Sequence, residues 1–443
     1  MPPELLAPLD LAFWNIESAG HPLHMGGLMI FEADAPDAAQ RAAGQLAARA
    51  ARIPGLNTRI RPVWLPVGAV ARRAAPDRDP AAHVHLAAPV RDFHTAAGAL
   101  MQRPLDRRHP LWAAHVLPGA DGTSFAVLFM FHHAHADGLR SASYLLSLLD
   151  PALDDAPAPA EAHYPQKNGS GLRLPDPRKV PALVRDAVTD AGRALSIGSA
   201  VARANWGVRS SPALISRSTG ARRADGTIVR LREVKRIREA AGGTINDVLL
   251  AIVAGGLRHW LNKRGDGSDG VRPRALIPVS LSDPHATSAW GNRLSGYLTR
   301  LPVDEAEPLA RLRAVRENME RNRKAGPTSG PGAAALLADI VPPLGHRLGG
   351  GLIARSGRLL YDLLVTSVPL LGVQGLTLAN SPAREAYPLA PLAPGHSLAV
   401  GITTYEDRVY FGLLADAAAV PDLDLLARSL AEEAAALVAA CGT

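Results

Sequence analysis

The stretch 124–150, SFAVLFMFHHAHADGLRSASYLLSLLD, constrains the fold more than any other part of the chain. Residues 125–131 form an apolar run with aromatic and β-branched members, which is typical of a buried strand. Gly138 then opens a leucine-rich segment that predicts a helix packed on one face. A strand, a polar turn and a helix N-terminus are therefore predicted to meet at His132, His133 and Asp137, a junction where rigid elements can present chemistry.

The length and one change in composition indicate how the chain is divided. At 443 residues the chain is long for a single core, and domains of roughly 150 to 250 residues are the ordinary expectation. Residues 151–181 are polar and rich in proline, alanine and glycine, which predicts a linker. We therefore predict a first domain at 1–150, a linker at 151–181 and a second domain at 182–443.

Charge and cysteine usage argue against several classes of protein. The formal charge is +7, yet the arginines are scattered and aromatic residues make up only 5%, which argues against a nucleic-acid surface. An anionic membrane surface or a phosphorylated ligand is compatible with that charge. The single Cys441 cannot form an intramolecular disulfide and is typical of a reducing cytoplasm. The first residues lack the basic and apolar regions of a secretory signal.

Three interpretations of the histidine turn are open from the residues alone. A metal site has enough donors, but consecutive histidines that leave a strand point to opposite faces and rarely converge on one ion. A structural turn would use Asp137 to cap the following helix through the amide of Arg140. A catalytic turn would use one imidazole as a general base on a hydroxyl, because a pKa of about 6.5 keeps a neutral fraction at physiological pH.

The turn resembles the H-H-x-x-x-D-G signature of the CoA-dependent acyltransferase superfamily, present here at 132–138. Over nearly its whole length the chain is similar to the bacterial wax ester synthase/diacylglycerol acyltransferase family. The similar blocks are LAPLDLAFWNIES and PLHMGGLMIFE near the start, PLDRRHPLW at 104–112, the histidine turn, TINDVLLAIVAGGLRHWL at 244–261, LIPVSL at 276–281, GNRLS at 291–295 and YPLAPLAPGHSLAVGITTYEDRVYFGLLAD at 387–416.

The resemblance implies an α/β fold of two chloramphenicol acetyltransferase-like domains, each a mixed sheet flanked by helices. An active-site tunnel would lie at their interface, open to acyl-CoA on one side and to the acceptor on the other. His133 would be the general base that takes the acceptor's hydroxyl proton and returns it to the departing thiolate. The catalytic candidates are His133, Asp137 and His132, where Asp137 would hold the loop and His132 would be a structural neighbour.

Three further residues match family positions that support the active site. They are Gly138 in the motif and Asn246 and Asp247 in the second domain, the latter two acting from across the interface. Asp247 follows Thr244 by three residues, so the pair also resembles a helix capping box with aspartate in place of glutamate.

The substrate-tunnel candidates are Leu111, Trp112 and Ser367. Packing is the favoured role of Trp112, which belongs to a Pro-Leu-Trp block. Ser367 lies in TSVPLLG at 366–372, where the family often has Thr-Asn-Val-Pro-Gly, so Ser367 and Leu370 are departures. These departures concern acceptor preference rather than the chemistry.

The implied activity is an acyl-CoA dependent O-acyltransferase that makes triacylglycerol from diacylglycerol or wax ester from a long-chain alcohol. Acyl-CoA would be a co-substrate, and no bound cofactor, metal or nucleic acid is expected. We expect a cytoplasmic protein in peripheral contact with the inner face of the cell membrane or with lipid droplets. The basic amphipathic segment 182–215 is expected to be a helix packed on its own domain, with a membrane-facing helix as the alternative, and the apolar segment 333–366 is a candidate for a lipid-facing or pocket-lining helix. The alternatives are an acyltransferase on a small or sugar-like acceptor and a catalytically silent lipid-binding protein.

Overall fold

The computed structural model describes residues 4–75, 79–150, 210–215, 219–280, 294–327, 338, 341–368 and 373–442. Within these ranges the chain forms two six-stranded sheets and one three-stranded sheet, with helices between the strands. The predicted linker at 151–181, most of the basic segment 182–215 and Leu370 lie outside the described residues.

The first part of the chain contains seven of the described strands and four of the described helices. In chain order these are β1 (Glu4–Leu5), α1 (Pro8–Ile16), β2 (His24–Glu32), α2 (Ala38–Ala50), β3 (Thr58–Pro62), β4 (Val70–Ala74), β5 (Val84–Leu86), α3 (Phe93–Met101), β6 (Trp112–Pro118), β7 (Ser124–His132) and α4 (Gly138–Leu148).

After residue 209 the described part of the chain continues with eight strands and five helices. They are β8 (Arg222–Arg230), α5 (Leu231–Ala241), α6 (Ile245–Arg264), β9 (Arg274–Ser280), β10 (Leu294–Arg300), α7 (Pro308–Ala325), α8 (Pro343–Leu360), β11 (Leu363–Ser367), β12 (Thr377–Leu378), β13 (Ser381–Leu389), β14 (Leu398–Tyr405), β15 (Arg408–Asp416) and α9 (Leu423–Ala440).

The first six-stranded sheet has the strand order β12-β13-β2-β7-β6-β5. Its neighbours are antiparallel except β5 and β6, which run parallel, so the sheet is mixed. Strand β7 pairs with β2 on one side and β6 on the other, and all its residues after Ser124 are buried. This central position explains why the apolar run 125–131 does not alternate with polar residues. Strands β6 and β7 are consecutive in the chain and form an antiparallel hairpin.

The second six-stranded sheet has the order β10-β9-β11-β14-β15-β8. Strand β11 runs parallel to both β9 and β14, whereas the remaining pairs are antiparallel, so this sheet is mixed as well. Helix α9 packs on β8 and on α6, whose buried side chains form much of the core of this half. The predicted mixed sheets flanked by helices are therefore observed in both halves.

The predicted domain boundaries need one correction. The prediction assigned everything from residue 182 onward to the second domain, but β12 and β13 lie in the first sheet. Strand β13 pairs with β2 over the register Ala383↔Phe31 to Leu389↔Gly26. Local sequence shows that 381–389 is a strand, but it does not show which sheet edge the strand joins. The second half of the chain thus completes the first sheet.

A smaller sheet, ordered β1-β4-β3, lies beside the first one. Its buried residues Ile60 and Val70 pack in one apolar cluster with Leu11 and Trp14 of α1. The hairpin of β3 and β4 is therefore anchored at its base, while residues 64–67 of its connection are exposed.

None of the described helices is by itself long and apolar enough to cross a membrane, although the bent pair α5 and α6 together meets that test of length and composition.

Candidate active site

The histidine turn follows the last residue of β7 directly, as predicted. Its three histidines differ in exposure: His132 and His135 are 0% and 1% exposed, whereas the side chain of His133 is only half-buried. Because a strand alternates its side chains between faces, His132 and His133 leave the sheet in different directions. Of the three, only His133 retains appreciable accessible surface.

The environment of His133 fixes its position and lowers its basicity. Its backbone amide donates to the carbonyl of Leu23 at 2.9 Å, and its ring stacks on Phe13 of α1 with ring centroids 4.1 Å apart. Burial lowers the pKa of the His133 imidazole below its ordinary value, and the negative charge of Asp137 partly opposes that shift. The imidazole is therefore held neutral and able to accept a proton at physiological pH.

Asp137 is the N-cap of α4, where its Oδ1 accepts from the amide of Arg140 at 2.8 Å. The next residue, Gly138, permits a close approach of the second sheet, because a Cβ placed on it would lie 3.3 Å from Cγ2 of Val368. Val368 directly follows β11, whose last residue Ser367 is exposed. The motif and the end of β11 therefore meet at Gly138, where the two halves of the chain approach each other.

His132 belongs to a buried polar network rather than to the reacting groups. Its Nδ1 accepts from the amide of Ala134 at 2.9 Å, which puts the ring proton on Nε2, and this atom lies 3.2 Å from Oε2 of Glu17. Arg107 donates to the same oxygen from Nε at 3.0 Å and from Nη2 at 2.8 Å. His132 is thus a structural neighbour of His133 and acts as a positioning residue.

Glu17 is the charged centre of this network. Burial alone would raise the pKa of its carboxyl, but contacts with His132, the amide of Leu23 and Arg107 outweigh burial and lower the pKa to about 2. Arg107 also lies over the ring of Trp14, with its guanidinium carbon 4.1 Å from the centroid. The ionised carboxylate therefore holds the first histidine in one tautomer directly beside His133.

A second buried ion pair, Arg72 with Asp10, also contacts the histidine turn. Nη2 of Arg72, on β4, donates to Oδ2 of Asp10 at 2.9 Å and to the carbonyl of Ala134 at 2.7 Å. Both side chains are almost fully buried, at 5% and 0% exposure. Since Ala134 is the residue after His133, this arginine fixes the backbone of the turn to the small sheet and to α1.

The second-domain pair Asn246 and Asp247 lies at the start of α6. Asp247 forms the predicted capping box with Thr244, and Arg323 of α7 donates to both of its carboxylate oxygens, at 3.0 and 3.3 Å. Asn246 is half-buried. Among the described residues, neither side chain forms a hydrogen bond or ion pair with the histidine turn. Asp247 is therefore a structural group that joins two helices.

Two of the predicted tunnel residues are core residues. Leu111 and Trp112 are 0% and 1% exposed, and the indole of Trp112 donates to the carbonyl of Leu56 at 2.8 Å while its ring stacks on His83. Side chains without accessible surface do not line an open tunnel, so their assignment as tunnel residues was wrong. Packing, the favoured role of Trp112, is what the structure shows.

The residues missed by the sequence analysis are Asp10, Glu17, Arg72 and Arg107. Asp10 and Glu17 are the two carboxylates of the largely apolar block LAPLDLAFWNIES, and a buried carboxylate needs a partner, so this block carries the sequence signal for the network. As for the metal interpretation, no three His, Cys, Asp or Glu side chains in the described ranges lie close enough together to hold an ion.

Comparison with known proteins places this geometry in a family. The model of the wax ester synthase/diacylglycerol acyltransferase catalytic domain matches residues 6–249, and the model of the C-terminal domain of the same family matches residues 290–437. A Mycobacterium tuberculosis protein named as a probable diacylglycerol O-acyltransferase is 31% identical over 449 residues, covering 98% of this chain and 96% of that protein.

Solved structures show the same fold. The wax ester synthase/diacylglycerol acyltransferase from Marinobacter aquaeolei VT8 superimposes with a TM-score of 0.71 at 22% identity, over 99% of this chain and 100% of that one. The trichothecene 15-O-acetyltransferase from Fusarium sporotrichioides gives a TM-score of 0.62 at 11% identity, over 98% and 95%. The predicted two-domain α/β fold is confirmed. This chain belongs to the wax ester synthase/diacylglycerol acyltransferase family and is an acyltransferase.

Proposed function

We propose that this protein transfers a fatty acyl group from acyl-CoA to the hydroxyl of diacylglycerol or of a long-chain alcohol, with His133 as the general base. The observation that carries the proposal is the difference in exposure within the motif, where His133 is accessible and its two companions are buried. Family membership favours this reaction over transfer to a small sugar-like acceptor and over a silent lipid-binding protein.

The proposed chemistry needs one proton shuttle and no acyl-enzyme. His133 accepts the proton of the acceptor hydroxyl while the acceptor oxygen attacks the thioester carbonyl, forming a new C–O bond. As the tetrahedral intermediate collapses, the C–S bond breaks and the imidazolium returns the proton to the CoA thiolate. The products are an ester and free CoA, so every proton and bond is accounted for without a further reactant.

The surrounding residues support this role by fixing one orientation of the base. The stacked ring of Phe13 limits rotation of the imidazole of His133, and Arg72 and Asp137 hold the backbone that follows it. A base that is already oriented loses little entropy on reaching the transition state. The lowered pKa of His133 keeps its neutral form available without a separate base to deprotonate it.

The remaining expectations belong to the same proposal. Acyl-CoA enters as a co-substrate and the protein uses no bound cofactor, since both proton transfers fall to one imidazole. The protein is proposed to act in the cytoplasm, in peripheral contact with the inner face of the membrane or with lipid droplets, where both lipid acceptors are found. The single Cys441 and the formal charge of +7 support this location.

The experiment is release of free CoA from palmitoyl-CoA by the purified protein, with hexadecanol and a diacylglycerol offered in parallel. Turnover with either acceptor that is lost in His133→Ala supports the mechanism, and the ratio of the two rates ranks triacylglycerol against wax ester formation. His85→Ala, which removes an exposed histidine on β5, is the matched control and should retain full activity. No turnover with any hydroxyl acceptor, or turnover that survives His133→Ala, would contradict the proposal.

A further inference from the structure

Among the described residues of the first half, the loop that joins β3 and β4 carries the most exposed large apolar side chains. Trp64 is 89% exposed, Leu65 54% and Val67 52%. The base of this hairpin is anchored in the core through Ile60 and Val70, so the tip is presented by a fixed support. A tryptophan exposed in this way is unusual in water, because its large apolar ring has no contact that removes it from solvent.

The first turns of α8 extend the same surface. Leu344 is 44% exposed and Leu348, four residues later on the same helix face, is 77% exposed. The hairpin tip touches the beginning of this helix, because a Cβ placed on Gly68 would lie 2.9 Å from Cα of Leu344. We name the set Trp64, Leu65, Val67, Leu344 and Leu348 the apolar surface.

The two segments that carry the apolar surface are basic. Residues 58–75 contain four arginines and no acidic residue, and residues 343–360 contain three arginines and no acidic residue, although Arg72 is buried against Asp10 and cannot reach a headgroup. Arg59 and Arg73 face each other across β3 and β4, and Arg73 and Arg347 are exposed. Apolar side chains flanked by arginines match a surface of negative headgroups over a hydrocarbon interior.

We propose that the apolar surface docks on an anionic lipid bilayer, with Trp64 and its neighbours in the interfacial layer and the arginines on the headgroups. The inference rests on the proposed function in one respect, because it names the part of the molecule that gives the enzyme its peripheral location. A tryptophan at the tip is suited to that layer, since its ring is apolar and its N–H remains hydrated.

The docking surface is continuous with the active site through two contacts. Arg72 on β4 binds the carbonyl of Ala134 in the histidine turn, so the docked hairpin and the turn form one rigid unit. Helix α8 packs on α1, which carries the Phe13 ring that stacks on His133. Docking therefore places the base next to the layer in which a diacylglycerol or long-chain alcohol is dissolved.

The test is co-sedimentation of the full-length protein with vesicles made from equal parts of phosphatidylglycerol and phosphatidylcholine, and with vesicles of phosphatidylcholine alone. The wild type should bind the anionic vesicles more tightly, and added salt should weaken that binding because it screens the arginines. The double variant Trp64→Ser/Leu65→Ser, and Leu348→Ser separately, should lower the partition coefficient, the double variant by about tenfold or more. Leu86→Ser, at a 45% exposed leucine on β5, is the matched control and should bind like the wild type.

A second measurement, quenching of tryptophan fluorescence by brominated lipids, tests the position of Trp64 with a variant that keeps an apolar side chain. Trp64→Phe should keep vesicle binding but remove the Trp64-dependent part of the fluorescence quenching by brominated lipids. Each variant is also assayed without vesicles, using a short acyl-CoA and a short soluble alcohol. The docking variants should retain that soluble turnover and show a raised KM for vesicle-borne acceptor.

These outcomes separate the two proposals. Unchanged vesicle binding in both the double variant and Leu348→Ser would overturn the docking surface while leaving the transferase proposal intact. Selective loss of binding in a protein without soluble turnover would support docking and count against the proposed function. Sedimentation that shows the wild type as a dimer and the double variant as a monomer, with equal vesicle binding, would assign the surface to a second copy of the chain and overturn the lipid proposal.

Discussion

Buried arginine–carboxylate pairs occur in both halves of the molecule, and two of them, one from each half, have nearly the same chemistry. Arg72 and Asp10 are 5% and 0% exposed with a contact of 2.9 Å, and Arg311 and Glu433 are 1% and 0% exposed with a contact of 2.7 Å. Both pairs carry the desolvation cost of buried charge, so neither one is explained by its own attraction alone. Their other partners decide what each pair does.

Besides Asp10, Arg72 binds the carbonyl of Ala134 in the histidine turn. Glu433 on α9 instead receives Arg311 from α7 and lies 3.1 Å from His259 of α6, so it ties three helices together. The approach is close, because a Cβ on Gly255 of α6 would lie 2.0 Å from the Glu433 carboxyl carbon. The same ion pair therefore positions a reacting group in one half and holds helix packing in the other.

The largest effect is expected from His133→Ala, which removes the base that the first pair positions. We expect kcat/KM to fall by about a hundredfold to ten-thousandfold, with little change in the unfolding midpoint, because the side chain is only half-buried. Steady-state kinetics and thermal unfolding of the same preparation measure both. If kcat/KM of His133→Ala stayed within a fewfold of the wild-type value, His133 would not be the base, and the first pair would have no catalytic group to position.

Glu433→Gln should produce the largest loss of stability. The change leaves the buried guanidinium of Arg311 without a counter-charge, which typically lowers the unfolding free energy by about 3–5 kcal/mol, whereas kcat/KM per folded molecule should stay unchanged. Denaturant titration measures the first quantity. Glu432→Gln is the matched control, because that neighbouring carboxylate is exposed and pairs with Lys263, so a change within about 0.5 kcal/mol is expected. Equal losses of unfolding free energy in Glu433→Gln and Glu432→Gln would show that the buried pair stabilises the fold no more than the exposed pair does.

Arg72→Lys and Arg311→Lys test the comparison directly. A lysine keeps the charge but cannot reproduce the guanidinium geometry, so in each half one partner is released. Arg72→Lys should lower kcat by about tenfold, since the carbonyl of Ala134 is then free to shift and the adjacent base moves with it. Arg311→Lys should leave kcat unchanged. Similar kcat losses for both variants would mean that the two pairs act through overall stability alone.

The smallest effect is a shift in pH dependence at the first site. Because burial lowers the pKa of His133, its neutral form persists below pH 6.5, and the acidic limb of kcat/KM should lie below that ordinary value. Asp137→Asn keeps an N-cap but removes the negative charge that raises this pKa, so the limb should move further toward acid by a fraction of a pH unit. A pH profile of kcat/KM between about 5 and 8 measures the shift. Movement toward higher pH would contradict the assigned electrostatics.

Local patterns were sufficient to predict the elements that carry the site. The apolar run 125–131 and the leucines after Gly138 predicted β7 and α4, and Thr244 with Asp247 predicted the cap of α6. These features depend on neighbours within a few residues, where side-chain period and capping are decided. The identity of the base came from the motif's resemblance to a family and not from its spacing.

Long-range partners could not be predicted in the same way. Arg72 and Asp10 are 62 positions apart in sequence, and Arg107 and Glu17 are 90 positions apart, so no local pattern joins them. Tryptophan is a residue type that often contacts ligands. Only the fold shows that the indole N–H of Trp112 instead donates to the buried carbonyl of Leu56. The pairing of β13 is also long-range, because it depends on β2 having an edge with no other partner in the first sheet.

Because β12 and β13 from the second half of the chain belong to the first sheet, a break in the backbone between the two halves leaves that sheet incomplete. A polypeptide that ends within 151–209 has β2 as an uncovered sheet edge, and such an edge recruits any available strand. The two pieces produced by a cut in that interval remain held by the backbone hydrogen bonds between β2 and β13. They should therefore reassemble as a split enzyme when expressed together, whereas the first piece expressed alone should aggregate.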